Sequence, residues 1–135
     1  MPVRNIGSPI DITMSALRAQ SMRMNVYSNN LANASTAKTD TGGPYRRKEV
    51  ILSSVMDAIN GVKIDRVAED FTTEFQRIHQ PGHPQADTDG YVMMPNISIP
   101  VEMMNLTSAS RAYQANAAVL KRYQDMVDAT LQLLR

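Results

Sequence analysis

His79 and His83 stand four apart, a spacing that on a helix would offer two imidazoles to one metal ion. Pro81 and Gly82 lie between them, so a shared helical face is impossible and an exposed loop is the ordinary outcome. Asp87-Thr88-Asp89-Gly90 is similar to the start of a calcium loop. Gln85 stands two residues before Asp87, and Asn96 occupies the place of the bidentate Glu, so the pattern fails. A turn entering a strand at Tyr91-Val92-Met93 is expected instead. Arg46-Arg47-Lys48 could meet a phosphate or an acidic partner, but a basic run of this length is usually solvated surface. Asn33-Ala34-Ser35, Asn96-Ile97-Ser98 and Asn105-Leu106-Thr107 fit the glycosylation triplet, which also arises by chance. There is no Gly-rich phosphate loop, no nucleophile elbow and no spaced Ser/His/Asp set, and the absence of Cys removes thiolate ligands, disulfides and a cysteine nucleophile. These residues do not assemble an enzyme, and no metal or cofactor is implied.

The elements that would position any site matter more. A chain of 135 residues suits one small domain with appended helices. With 14 Lys+Arg against 13 Asp+Glu the net charge of +1 excludes a strongly basic nucleic-acid binder. No apolar run approaches the ~20 residues of a membrane helix. The N-terminal stretch has a single Arg and no apolar h-region, so a cleavable secretory signal is not expected.

Charge is unevenly spread. Residues 9–35 carry only Asp11, Arg18 and Arg23, whereas 36–100 carry sixteen charged residues and 101–135 carry seven. A surface helix normally has a charged face. A helix whose outer side is Ser, Asn, Gln, Ala and Met suits an environment of other protein, where charge is costly to desolvate.

Ser8 can cap this first helix, with Pro9 at its first position and Asp11 three residues after the cap. Ile10, Met14, Leu17, Ser21, Met24, Ser28, Leu31 and Ser35 alternate by four and three, the mark of a heptad seam. The helix should fade at 33–36. The C-terminal segment repeats more cleanly, through Met103, Leu106, Ser110, Tyr113, Ala117, Leu120, Gln124, Val127, Leu131 and Leu134. Pro100 fits its first turn and Glu102 complements the dipole there. A second apolar row, Ala109, Ala112, Val119, Tyr123, Met126 and Leu133, lies beside the first and is broken by Asn116 and Thr130. One row can hold the N-terminal helix while the other meets neighbours; a single broad stripe in a bundle is the alternative.

Between the helices, Tyr45–Val55 and 61–67 read as strands, the latter from its period-two alternation. Phe71, Phe75 and Ile78 can continue a small β-rich unit, and 80–84 is turn chemistry. The fold class is α+β: long terminal helices (1–36 and 100–135) paired as a coiled coil, around a small β-rich middle domain (37–99). Its many Asn and Ser leave the first helix marginal in isolation, so both ends are expected to order on a partner surface.

Two blocks carry a family likeness. Ser28-Asn29-Asn30-Leu31-Ala32-Asn33-Ala34-Ser35-Thr36 resembles the N-terminal signature of the flagellar rod and hook axial proteins. Ser110-Arg111-Ala112-Tyr113-Gln114-Ala115-Asn116, followed by a heptad helix, resembles their C-terminal signature. Gly43-Pro44-Tyr45-Arg46-Arg47-Lys48, Pro81-Gly82-His83-Pro84, Ala86–Val92 and Met94-Pro95-Asn96 narrow the resemblance to the proximal-rod subunits of that family. Gln85, Thr88 and the pairs Met93-Met94 and Met103-Met104 are mild departures.

The resemblance implies a structural subunit of the rod of the bacterial flagellar basal body, a shaft crossing the periplasm. It implies delivery by the flagellar type III export apparatus, which needs no cleavable signal. Terminal segments disordered before assembly would then form an inner layer of helices around a channel. The implied partners are other copies of the chain, the other rod proteins, and the ring and hook–basal-body components, with no nucleic acid and no membrane insertion. The assembly interface is expected at Ile10, Met14, Leu17, Met24, Leu31, Met103, Leu106, Tyr113, Asn116, Leu120, Val127, Leu131 and Leu134. Asn29, Asn30 and Asn33 are expected to bond backbone or side chains at a helix end. The competing class is a soluble coiled-coil adaptor or export chaperone, which should carry a charged outer face on both helices.

Overall fold

A computed structural model of the chain describes residues 9–54 and 61–134. Helix α1 (Pro9–Ala32) starts at a proline, whose fixed φ and missing N–H suit the first turn, with Asp11 at the positive end of the dipole. Ser8, expected as the cap, lies outside the described residues. At the other end the N–H of Asn33 is shared between the carbonyls of Asn29 and Asn30. The Asn33 side-chain amide also donates to the Asn29 carbonyl at 2.9 Å. Asparagine thereby occupies carbonyls that a helix end would leave open.

Two antiparallel ribbons follow. Strands β1 (Lys48–Ser54) and β2 (Val62–Glu69) pair from Lys48↔Glu69 to Ser54↔Val62, with an irregularity between Ile51 and Leu52 that leaves Asp65 unpaired. Strands β3 (Gln76–His79) and β4 (Tyr91–Met94) form the second ribbon. Its connection is shaped by Asp87, whose Oδ1 accepts from the N–H groups of Asp89 (3.0 Å) and Tyr91 (2.8 Å). The segment that resembled a calcium loop thus spends its first carboxylate on its own backbone. Gly90, at φ 80°, closes that turn in a conformation side chains rarely adopt.

The first ribbon lies along α1. Lys48 meets Asn30, and the N–H of Val62 donates to Oγ of Ser15. Seven strand residues span about 24 Å, close to the roughly 22 Å that fifteen helical residues rise. The ribbon therefore fits the helix from one anchor to the other. Gly61 marks the second anchor, because a Cβ placed there would overlap the Ser15 hydroxyl and come within 2.9 Å of its Cβ. Rotating Ser15 away would break its bonds to Ile12 O and Val62 N. Gly61→Ala is expected to destabilise the protein by about 1–3 kcal/mol, read as a lowered urea midpoint at unchanged slope.

Helix α2 (Ile99–Leu133) has Pro100 in its first turn and runs 35 residues without interruption. It packs against α1 in the antiparallel sense, since Asn30 near the end of α1 meets Glu102 in the first turn of α2, and Leu17 shares a groove with Tyr113. The apolar core is small: Ala19, Val26 and Tyr27 of α1, Val92 and Ile97 from the second ribbon and its exit, and Ala109 of α2. Among the described residues no helix is long and apolar enough to cross a membrane.

Candidate functional site: a buried polar joint and an outward apolar row

Two of the most deeply buried side chains among the described residues are polar. Asn30 is 0% exposed and Glu102 1%. Asn30 Nδ2 donates to Lys48 O (2.8 Å) and to Glu102 Oε2 (2.9 Å), while its Oδ1 accepts from Lys48 N (2.9 Å) and the Tyr45 hydroxyl (3.2 Å). All four hydrogen-bonding positions of the amide are filled. Facing Lys48 in this way, the side chain acts as a short substitute strand for the start of β1.

One residue earlier, a second asparagine repeats the arrangement. Asn96 Oδ1 accepts from Arg47 N (2.8 Å), and its Nδ2 donates to the carbonyls of Asp70 and Thr73 (both 3.1 Å). Consecutive N–H groups of the chain are thus held by amides from opposite sides. Asn96, part of a chance glycosylation triplet in the sequence, is a buried structural residue.

Charge completes the joint. Arg47 Nε donates to Glu102 Oε1 at 2.7 Å, and its Nη1 lies 3.5 Å from Glu49 and 3.9 Å from Asp70. Burial alone would lower the Arg47 pKa, but the bond and charge of Glu102, helped by Glu49 and Asp70, raise it above its usual value. Burial, reinforced by the charges of Glu69 and Glu102, raises the Tyr45 phenol, which therefore stays a donor to Asn30. The basic run expected as solvated surface is instead divided by role. Arg46 lies over the rings of Phe75 (4.2 Å) and Phe71 (4.6 Å) and donates to Asp70 O, Arg47 enters the joint, and Lys48 is held by its backbone.

Asp70 fastens the far side. Its carboxylate accepts from the hydroxyls and N–H groups of both Thr72 and Thr73, at 2.6–3.1 Å. Those bonds, the Thr72 hydroxyl first, hold its pKa well below the ordinary 3.8. A carboxylate depressed in the folded state contributes stability above its unfolded pKa and loses it as pH falls through the folded one. Stability is therefore expected to decline below about pH 4, and Asp70→Asn should flatten that decline in thermal melts between pH 5 and pH 2.

The second feature is apolar. Leu17, Met24 and Leu31 are half-buried on α1, and Ile10 and Met14 are more exposed. Met14 and Leu17 share with Tyr113, Ser21 and Ile64 a groove of about 490 Å³. Asn29 is exposed. On α2, Leu106, Asn116 and Leu120 are half-buried, while Met103, Tyr113, Val127, Leu131 and Leu134 are exposed. The fully buried positions, Glu102 and Ala109, belong to the neighbouring row. The tightest intrachain contact is thus one position round the helix from the heptad seam. Sequence reasoning assigned Glu102 only to the dipole; its isolation as the one charge between Asp89 and Arg111 was the available signal.

Against this geometry stand the comparisons with known proteins. Residues 10–37 match the family "Flagella basal body rod protein", and residues 88–133 match "Flagellar basal body rod FlgEFG protein C-terminal". Over 126 residues the chain is 45% identical to the flagellar basal-body rod protein FlgC of Salmonella typhimurium, covering 91% of this chain and 93% of that protein. The chain belongs to the FlgC family. Identity to FlgC of Agrobacterium fabrum is 40% over 128 residues, covering 92% and 91% of the two chains. For FlgC of Bacillus subtilis it is 37% over 143 residues, covering 92% and 95%. In this FlgC-family chain both family-model matches include the joint: Asn30 falls in the first and Asn96 and Glu102 in the second.

Proposed function

We propose that the chain is a structural, non-enzymatic subunit of the flagellar basal-body rod that polymerises through its two terminal helices. The observation that carries the reading is the apolar surface left exposed on α2, Met103, Val127, Leu131 and Leu134 among it, on a helix that also packs against α1. A contact between unlike faces of successive copies does not close on itself, and so generates a tube. Its neighbours are other copies, other rod proteins, and the ring and hook–basal-body components around them. The rod lies in the periplasmic space, reached through the flagellar type III export apparatus, and the subunit binds neither nucleic acid nor membrane. Torque passes through packed side chains, and the joint keeps the middle domain at a fixed angle to the helices.

The test is complementation of a strain lacking this gene. Restored swimming, with the chain present in purified basal bodies, is the expected result. An adaptor or export chaperone would restore swimming while remaining in the cytosolic fraction, absent from the basal bodies. That outcome would transfer the chain to the competing class.

A further inference from the structure

Phe71 is the most exposed aromatic side chain among the described residues, at 74%. It is nevertheless held. The Arg46 guanidinium lies over its ring at 4.6 Å and over that of Phe75 at 4.2 Å. Arg46 also donates to Asp70 O at 2.9 Å, and the Asp70 carboxylate accepts from the N–H groups of Thr72 and Thr73. The loop thus presents a large apolar ring to solvent in a fixed position, which lowers the entropic cost of seating it in another surface.

A matching depression lies on α2. Pro100, Met103, Met104, Thr107, Ser108 and Arg111 line a groove of about 590 Å³, and Met104 is 69% exposed. At 3.6 residues per turn this stripe lies roughly 180° round the helix from Glu102 and Ala109, the positions that α2 buries within the subunit. Phe71 is tied to the Glu102 side, because Asp70 N donates to Arg47 O and Arg47 bonds Glu102. A chain therefore does not seat its own Phe71 in its own groove. Flexible methionines adapt to an inserted ring, and their sulfur atoms favour aromatic contacts. The charges agree. Arg111 lines the groove, Glu74 follows Phe71 by three residues, and no ion pair among the described residues engages either.

We propose that Phe71 of one copy seats in the Met103–Met104 groove of a second copy, with Glu74 facing Arg111. The two surfaces are unlike and lie on opposite sides of α2, so the contact repeats from copy to copy without closing. It joins the middle domain of one subunit to α2 of the next, and adds one directional pair to contacts that are otherwise apolar. The proposal rests on the rod-subunit reading for the assembly in which the copies meet.

Cross-linking tests it. The chain has no cysteine, so Glu74→Cys combined with Ser108→Cys carries the only two thiols. In basal bodies purified from a strain in which this variant replaces the gene, a short thiol–thiol cross-linker should give a ladder of dimers and higher multimers. Neither single variant should give the ladder. A cross-link to a different basal-body protein overturns the proposal, as does no cross-link in basal bodies that contain the chain; both leave the rod reading standing. Absence of the chain from basal bodies removes the rod reading, and the proposal with it. Glu74→Arg, Arg111→Glu and Phe71→Ala should each lower the yield of basal bodies by about tenfold at an unchanged melting temperature. Combining the two charge reversals should restore the yield, and additive losses instead would overturn the pairing.

Discussion

Replacing Glu102 by Ala is expected to cost about 3 kcal/mol of folding stability, enough to lower the melting temperature by about 10 °C. The carboxylate is 1% exposed and accepts from both Arg47 and Asn30, so its removal leaves a guanidinium and an amide N–H without their acceptor in a closed space. Breaking a buried pair from one side is more damaging than the net worth of the pair, because the remaining charge keeps its desolvation penalty. Arg47 can lean toward Glu49 and Asp70, at 3.5 and 3.9 Å, which places the expected cost at the lower end of the roughly 3–5 kcal/mol that breaking a buried pair costs. Chemical denaturation of Glu102→Ala and Arg47→Ala, singly and together, measures the coupling. Additive losses would mean that the two groups do not depend on each other, and the joint as described would be wrong.

Leu131→Asp should behave in the opposite way. Leu131 is 60% exposed and lies beyond the part of α2 covered by α1, so the monomer should change by no more than about 0.5 kcal/mol. Rod incorporation should nevertheless be lost, because a buried unpaired carboxylate costs several kcal/mol at every subunit contact. Equal expression and an unchanged melt, together with absent basal bodies and no swimming, are the expected readings. Leu120→Asp, at a half-buried position, should lower both stability and assembly. If Leu131→Asp still builds normal basal bodies, the seam has been misplaced. The pair of results separates what holds the subunit together from what joins it to the next.

The two predictions mark a division already visible in how the chain folds. Contacts within the subunit are few in apolar residues and rich in directional bonds. Contacts left for neighbours are apolar and undirected along one helix. A polar joint fixes angle and register, since Asn30 can fill its four positions only when Lys48, Tyr45 and Glu102 are all in place. An apolar seam tolerates the small adjustments that packing successive copies requires.

The sequence by itself determined the local elements. Period four-and-three apolar spacing specifies helices at both ends, because each turn sets the direction of the next side chains without outside help. Strand alternation at 62–67, the prolines Pro9 and Pro100, and the turn at Asp87–Gly90 are equally local. Only the tertiary structure decided which of Asn29, Asn30 and Asn33 would be buried, and that a glutamate 72 positions after Asn30 would share its hydrogen bond. It likewise decided that Arg46 and Arg47, adjacent in sequence, would go to two phenylalanine rings and to a buried carboxylate. Periodicity reports that a helix has an inner row, but the phase of that row depends on what arrives opposite it. A polar residue at such a position is costly or stabilising according to its partner, and the partner comes from a distant part of the chain.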